Sequence, residues 1–283
     1  NVGEITEMTM LVSWVGVDPH GPTSMYIAAD SRISWDAANT FDFAKKVFAS
    51  KKYPEIFGYA GDVLFPSIVL GQIVELIDAG ILLNTTMTCD QKNKIIFEKI
   101  CESLSKYPQL YIGSNVQIMH LSRDTEVDTK VRGYPKFYHY KLTWSKKNGF
   151  IFEKISIPNK SGLLCVLGTG AKEFNEKYLL YQKGRNSNTS RNVFHCFTDT
   201  LANIQDRYCG GSPQLVGLIR KPLTYGISFG IISEKRRYYL GMQIPNNACF
   251  TNVEWRNNLF EICDGGTKNI KSHFKFFSKQ NTY

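Results

Sequence analysis

A threonine opens an apolar run at Thr9-Met10-Leu11-Val12-Ser13, and four further motifs supply groups that a nucleophilic hydroxyl needs around it. Ala28-Ala29-Asp30-Ser31-Arg32 sets a carboxylate at the end of a second apolar run. Ala44-Lys45-Lys46-Val47 places an ammonium sixteen positions beyond Asp30. Gly168-Thr169-Gly170 carries a second hydroxyl where a helical pattern starts. Asp206-Arg207-Tyr208-Cys209-Gly210-Gly211 joins an acid and a thiol where a helical pattern ends on glycines. Each has an ordinary structural reading. An acid at a strand end caps or solvates, a lysine pair lies on a wetted face, Gly-Thr-Gly turns a strand into a helix, and Gly-Gly stops one. Their joint order is what points to a site.

The elements that must position these groups are legible in the pattern. Residues 9–17 are β-branched and apolar and read as a buried strand, and the turn chemistry of Asp18-Pro19-His20-Gly21-Pro22 returns the chain into a strand over 25–30. A second pair follows over 44–49 and 55–60. Apolar spacing then predicts helices over 65–81 and 90–107, the latter barred by Pro108, with an Asn-Thr-Thr linker between them. Strands resume over 116–121, 136–144, 150–155 and 163–167. A second helix pair is expected over 171–183 and 191–208, then strands over 215–219 and 226–232. The order predicts two sheets covered by helices. The stretch from about Pro245 reads as an appended tail or extra strands.

Composition bounds the function. At 283 residues and 43% hydrophobic, the chain can bury a sizeable core. The net charge of +9 is dispersed in pairs such as Lys45-Lys46 and Arg236-Arg237, so nucleic-acid binding is disfavoured. The seven cysteines show no CxxC spacing, which excludes a zinc or redox motif and fits reduced thiols in the cytoplasm. No basic-then-apolar leader opens the sequence, and the apolar runs are too short to span a membrane. No Walker-type lysine loop is present, so an ATPase would be a separate chain.

In the order and spacing of these motifs, residues 9–242 resemble proteasome β subunits and the related HslV-type peptidase. Asp30 and Lys46 stand at the family's own separation, and Gly58-Tyr59-Ala60-Gly61 resembles its small-residue turn. Thr169 and Cys209 each stand where the family has serine. The resemblance implies an α+β fold, a four-layer αββα sandwich of the Ntn-hydrolase type, and a threonine peptidase free of metal and cofactor. Thr9 would supply its hydroxyl as nucleophile and its own α-amine, with a pKa of about 7.7–8.0, as base. Lys46 would depress that amine and Asp30 would hold Lys46. The N–H of Gly61 would face the oxyanion, and Thr169, Asp206 and Cys209 would support the amine end.

The resemblance also places pocket positions at Ile33, Ala44 and Tyr59, all uncharged, which implies cleavage after apolar or aromatic residues; the same three could simply pack the core. It implies peptide or unfolded-protein substrates, a homo-oligomer, and a possible separate ATPase partner. The expected organisation is an extension or propeptide over 1–8, the peptidase-like domain over 9–244, and a C-terminal extension packed on it over 245–283. Met8 precedes Thr9, so the Thr9 nitrogen is an amide until residues 1–8 are removed, whether by trimming at Met8 or by self-cleavage. If they persist, the chain is a silent subunit that serves as an assembly scaffold.

Overall fold

The apolar run after Thr9 forms β1 (Leu11–Asp18), which returns through Pro19 and His20 as β2 (Gly21–Ala29), Asp18 opposite Gly21. In this computed structural model the described residues are 9–36, 38–108, 112–113, 115–124, 134–220 and 224–271. The expected extension over 1–8 and the end of the expected tail, 272–283, lie outside them. A short ribbon of β3 (Ile33–Ser34) and β4 (Thr40–Phe41) follows the hairpin. The chain then crosses to a second sheet through β5 (Val47–Ala49) and β6 (Glu55–Gly61).

Helices α1 (Leu64–Asp78) and α2 (Cys89–Lys106) come next. Thr88 caps α2 in a reciprocal box with Gln91, and Tyr107 turns extended ahead of Pro108, so both ends follow from local chemistry. Strands β7 (Asn115–Arg123), β8 (Phe137–Ser145) and β9 (Gly149–Ile155) complete an antiparallel sheet in the order β5-β6-β7-β8-β9. Strand β10 (Gly162–Leu167) pairs with β1. Helices α3 (Ala171–Tyr181) and α4 (Ser190–Asn203) lead to β11 (Gln214–Ile219), β12 (Ile227–Ser233), β13 (Arg236–Tyr239) and β14 (Met242–Ile244). This sheet runs β10-β1-β2-β11-β12-β13-β14. From the expected tail, β15 (Trp255–Asn257) adds parallel to β12, and β16 (Ile262–Cys263) pairs with β15.

Burial on both faces explains why the central strands read as continuous apolar runs. Leu11, Val15, Ile27 and Val216 of one sheet meet Val47, Ala60, Met119 and Leu121 of the other in a single buried cluster. Phe57, Tyr59 and Ile118 turn the other way, onto Phe65, Ile73 and Ile100 of α1 and α2. Val12, Trp14 and Leu215 pack on Phe174, Phe194 and Phe197 of α3 and α4. No helix among the described residues is long and apolar enough to cross a membrane.

Two expectations need correction. The helix predicted over 191–208 stops at Asn203, because Ile204 turns extended and Glu173 of α3 takes the N–H groups of Gln205 and Asp206. Asp206 therefore sits in a loop, not at a helix end on glycines. The connection between α1 and α2 spans residues 79–88, longer than the three-residue linker expected.

Candidate active site

Thr9 lies two residues before β1, fully buried, on the chain that leads into the central hairpin. Asp30 follows the last residue of β2, which β1 holds opposite Leu11, so the hairpin itself brings the two ends together. The backbone N–H of Met10 donates to Asp30 Oδ1 at 3.0 Å, and Asp30 N–H returns to the Met10 carbonyl at 3.3 Å. Lys46 stands just before β5 and reaches from the second sheet into this corner. Its ammonium donates to Asp30 Oδ1 at 2.9 Å and to Thr9 Oγ1 at 3.0 Å.

Asp30 is saturated as an acceptor. Beside Lys46 and Met10, its Oδ2 takes the N–H of Arg32 at 3.1 Å and of Gly210 at 3.2 Å. A buried carboxylate–ammonium pair is tolerated where the leftover lone pairs are hydrogen-bonded in this way. Gln214 at the head of β11 fastens the main chain on both sides of the pair. Its Nε2 donates to the carbonyls of Asp30 at 2.9 Å and Ala44 at 2.8 Å, and its Oε1 accepts the Lys46 N–H at 3.1 Å.

A second group adjoins the first. The register of β1 with β10 sets Leu167 opposite Leu11, which delivers Gly168-Thr169-Gly170 beside Thr9. The Gly170 N–H donates to the Thr9 carbonyl at 3.3 Å. Gly168 has a φ of +90°, and any Cβ there would overlap the Thr9 carbonyl, so glycine is required by both conformation and contact. Gly170 caps α3 without a side chain, leaving the Thr169 hydroxyl to donate to Asp206 Oδ2. The Cys209 thiol donates to the same oxygen at 3.5 Å and lies 3.7 Å from the Thr169 hydroxyl. Burial pushes the thiol up, and the charges of Asp30 and Asp206 push it further, so it stays protonated.

The remaining expected positions are placed as follows. Gly61 ends β6 with a φ of +87° against Asn115. Tyr59 N–H donates to the Lys46 carbonyl at 3.2 Å, which puts the Gly61 end of β6 at the Lys46 end of β5. Tyr59 is fully buried on the α1–α2 side, and its phenol donates to the Lys45 carbonyl at 3.3 Å. Burial, with Asp30 and Asp62, raises that phenol above its ordinary range. Ala44 is also buried and Ile33 half-buried.

The sequence pattern singles out neither Gln214 nor the Arg32–Asp42 pair. Arg32 Nε donates to Asp42 Oδ1 at 2.7 Å, and its Nη1 to the Arg207 carbonyl at 3.0 Å, tying the segment after Asp30 to the loop that carries Cys209. A polar residue at the head of an apolar strand carries no sequence signal for such a role. Among the described residues no group of three or more His, Cys, Asp or Glu could hold a metal ion.

The sequence matches no protein-family model and no curated protein. Solved structures do resemble it. The helical assembly of the Anbu complex from Pseudomonas aeruginosa is 14% identical, covers 84% of this chain and 88% of its own, and has a TM-score of 0.52. The Anbu Gly-1 mutant from Hyphomicrobium sp. strain MC1 is 12% identical over 78% of this chain and 86% of its own, with a TM-score of 0.50. Anbu, an ancestral beta-subunit, from Yersinia bercovieri is 9% identical over 81% and 86%, also at 0.50. At such identities the likeness is one of fold: this α+β chain shares the fold of these Anbu structures.

Proposed function

We propose that this chain is a proteasome-like N-terminal-threonine peptidase that becomes active once Thr9 carries a free amine. One observation carries the reading: a lysine ammonium, locked to a buried aspartate, lies in hydrogen-bond contact with the hydroxyl of Thr9. That is how a hydroxyl and its adjacent amine would be activated together.

In this mechanism the α-amine of Thr9 takes the hydroxyl proton as Oγ1 attacks a peptide carbonyl. Lys46 holds the hydroxyl and lowers the proton affinity of the amine by its charge, while Asp30 pairs with Lys46 and aims it. The Gly61 N–H receives the oxyanion. The amine proton passes to the leaving nitrogen as the peptide bond breaks, leaving an ester on Thr9 that water hydrolyses. Thr169, Asp206 and Cys209 orient the amine end. The side chains used here need no metal or cofactor.

Around this site we read residues 9–244 as one four-layer αββα domain, with residues 245–283 an extension packed on it. The distribution of the buried clusters supports the layering. Peptides or unfolded proteins are the substrates, with Ile33, Ala44 and Tyr59 favouring apolar or aromatic residues at the cut. Helical assembly of the Anbu neighbour supports a homo-oligomer here; we place it in the cytoplasm, with any ATPase on a separate chain.

A second reading is a silent scaffold subunit, favoured by Met8 preceding Thr9 and by the complete burial of Thr9. A peptide electrophile selective for N-terminal threonine separates the two. Mass spectrometry is expected to find it on Thr9 after residues 1–8 are removed; no adduct on the trimmed chain would leave the scaffold reading.

A further inference from the structure

We propose that Gln214 is a positioning residue that sets the distance between Lys46 and Thr9, a role that rests on the threonine-peptidase reading above. The site is assembled from two sheets. Thr9 and Asp30 belong to the β1–β2 hairpin, whereas Lys46 precedes β5 in the other sheet. Where the chain crosses over, backbone pairing is sparse: the Ala44 N–H donates to the Ser31 carbonyl at 2.9 Å. Something else must set the spacing of Asp30 and Lys46 along the seam.

Gln214 is fully buried and is paired into its sheet with Ala29, the residue before Asp30. Its amide spends both hydrogens on carbonyls, that of Asp30 at 2.9 Å and that of Ala44 at 2.8 Å, and its oxygen takes the Lys46 N–H at 3.1 Å. Only one orientation of the amide fits. The flipped amide would set its NH2 against the Lys46 N–H and its oxygen against two carbonyls. A primary amide with a two-methylene reach is therefore specified at this position. Aspartate and glutamate lack the donors, asparagine falls short, and leucine leaves three buried main-chain groups unpaired.

Because Gln214 grips the main chain on both sides of Lys45, it determines where the Lys46 Cα sits relative to Asp30. The Lys46 side chain then spans a set gap to Thr9 Oγ1. Loosening that grip lets the ammonium drift from the hydroxyl while leaving the hydrophobic clusters intact. A misplacement of about 1 Å in such a group costs on the order of 100-fold in rate.

The test compares Gln214→Asn, and Gln214→Glu should the first not fold, with Ile100→Ala, a core variant in α2 chosen for a matched loss of thermal stability. Two readouts are taken on chains cut at Thr9. The first is acylation of Lys46 by an N-hydroxysuccinimide ester, followed by mass spectrometry; the second is peptide turnover per titrated site. The Gln214 variant is expected to acylate at Lys46 about tenfold faster than the matched control, and to lose about tenfold or more in kcat with KM nearly unchanged. Lys46 protection equal to that of the control overturns the proposal whatever the turnover. If the wild type shows no turnover while the Gln214 variant still releases Lys46, the positioning role stands and the peptidase reading falls.

Discussion

Lys46 Nζ lies 3.0 Å from Thr9 Oγ1, and neither residue is reached by solvent. Coulomb interactions are strong in such a place, and a lysine left there without a counter-charge would lose its proton or unfold the site. Asp30, 2.9 Å away, supplies that charge. The contact with Thr9 is thus bought by a buried ion pair, and the pair makes the site measurable by stability as well as by activity.

Lys46→Met is expected to lower folding stability by about 3–5 kcal/mol, because it strands the Asp30 carboxylate in the interior. Adding Asp30→Asn should return part of that loss, since no uncompensated charge remains. Denaturant midpoints of the two singles and the double check this; a double variant that loses the full sum would show that the two side chains act independently.

Cys209→Ser should raise turnover of the trimmed chain, by up to about tenfold. A hydroxyl is a better donor than a thiol to Asp206, and a net hydrogen bond is worth about 0.5–1.5 kcal/mol. The site is tight, since a Cβ on Gly170 would stand 3.2 Å from Cys209 Sγ, so the smaller serine fits where a larger residue would not. Active-site titration with kcat decides it. A fall in kcat would mean that the thiol's bulk, not its hydrogen bond, serves the site.

Acid should weaken the fold through His139, which burial and the nearby His120 and Lys141 hold down to about 3. Both its ring nitrogens are without a hydrogen-bond partner among the described residues. Unfolded, the imidazole takes a proton near pH 6.5, so between about 6.5 and 3 the unfolded chain binds more protons and stability falls as pH falls. By about pH 5.5 the loss from His139 alone is roughly 1.4 kcal/mol. Glu55 adds to the same trend only below about pH 4.5, where an unfolded glutamate takes its proton. Burial pushes its carboxyl up, but Lys92 and His120 more than offset this and hold it below the usual range. His139→Leu should flatten the stability–pH slope in this window without abolishing it. An unchanged slope in urea titrations would contradict the assignment.

Much of this fold is legible in the sequence because the strands around Thr9 and Asp30 are buried on both faces and the helix at Thr88–Pro108 carries its own start and stop. Other parts are settled by contacts that pattern cannot show. Ile204 continues the apolar spacing of α4, and Gly210-Gly211 looks like a stop signal, yet Glu173 on another helix pulls the chain out early. The strands from Arg236 onward run only two to four residues, and β15 gains its place by parallel pairing with β12 far back in the chain. In the site, the spacing of Asp30 and Lys46 was readable; Gln214 was not, since its role depends on two sheets meeting.

Thr9→Ser should keep part of the activity of the trimmed chain, and Thr9→Ala should abolish it with the fold intact. Alanine still fits the buried position two residues ahead of β1, whereas the nucleophile is gone. Circular dichroism with a peptide turnover assay checks both. Full activity in Thr9→Ala would move the chemistry to another residue.

The most direct measurement is peptide hydrolysis by two preparations verified by intact mass, one beginning at Thr9 and one retaining Met8 and the residues before it. A free amine can accept the hydroxyl proton near neutral pH and an amide cannot. Turnover is expected from the first preparation and none from the second. Equal rates in both, or no turnover from the chain that begins at Thr9, would contradict this mechanism.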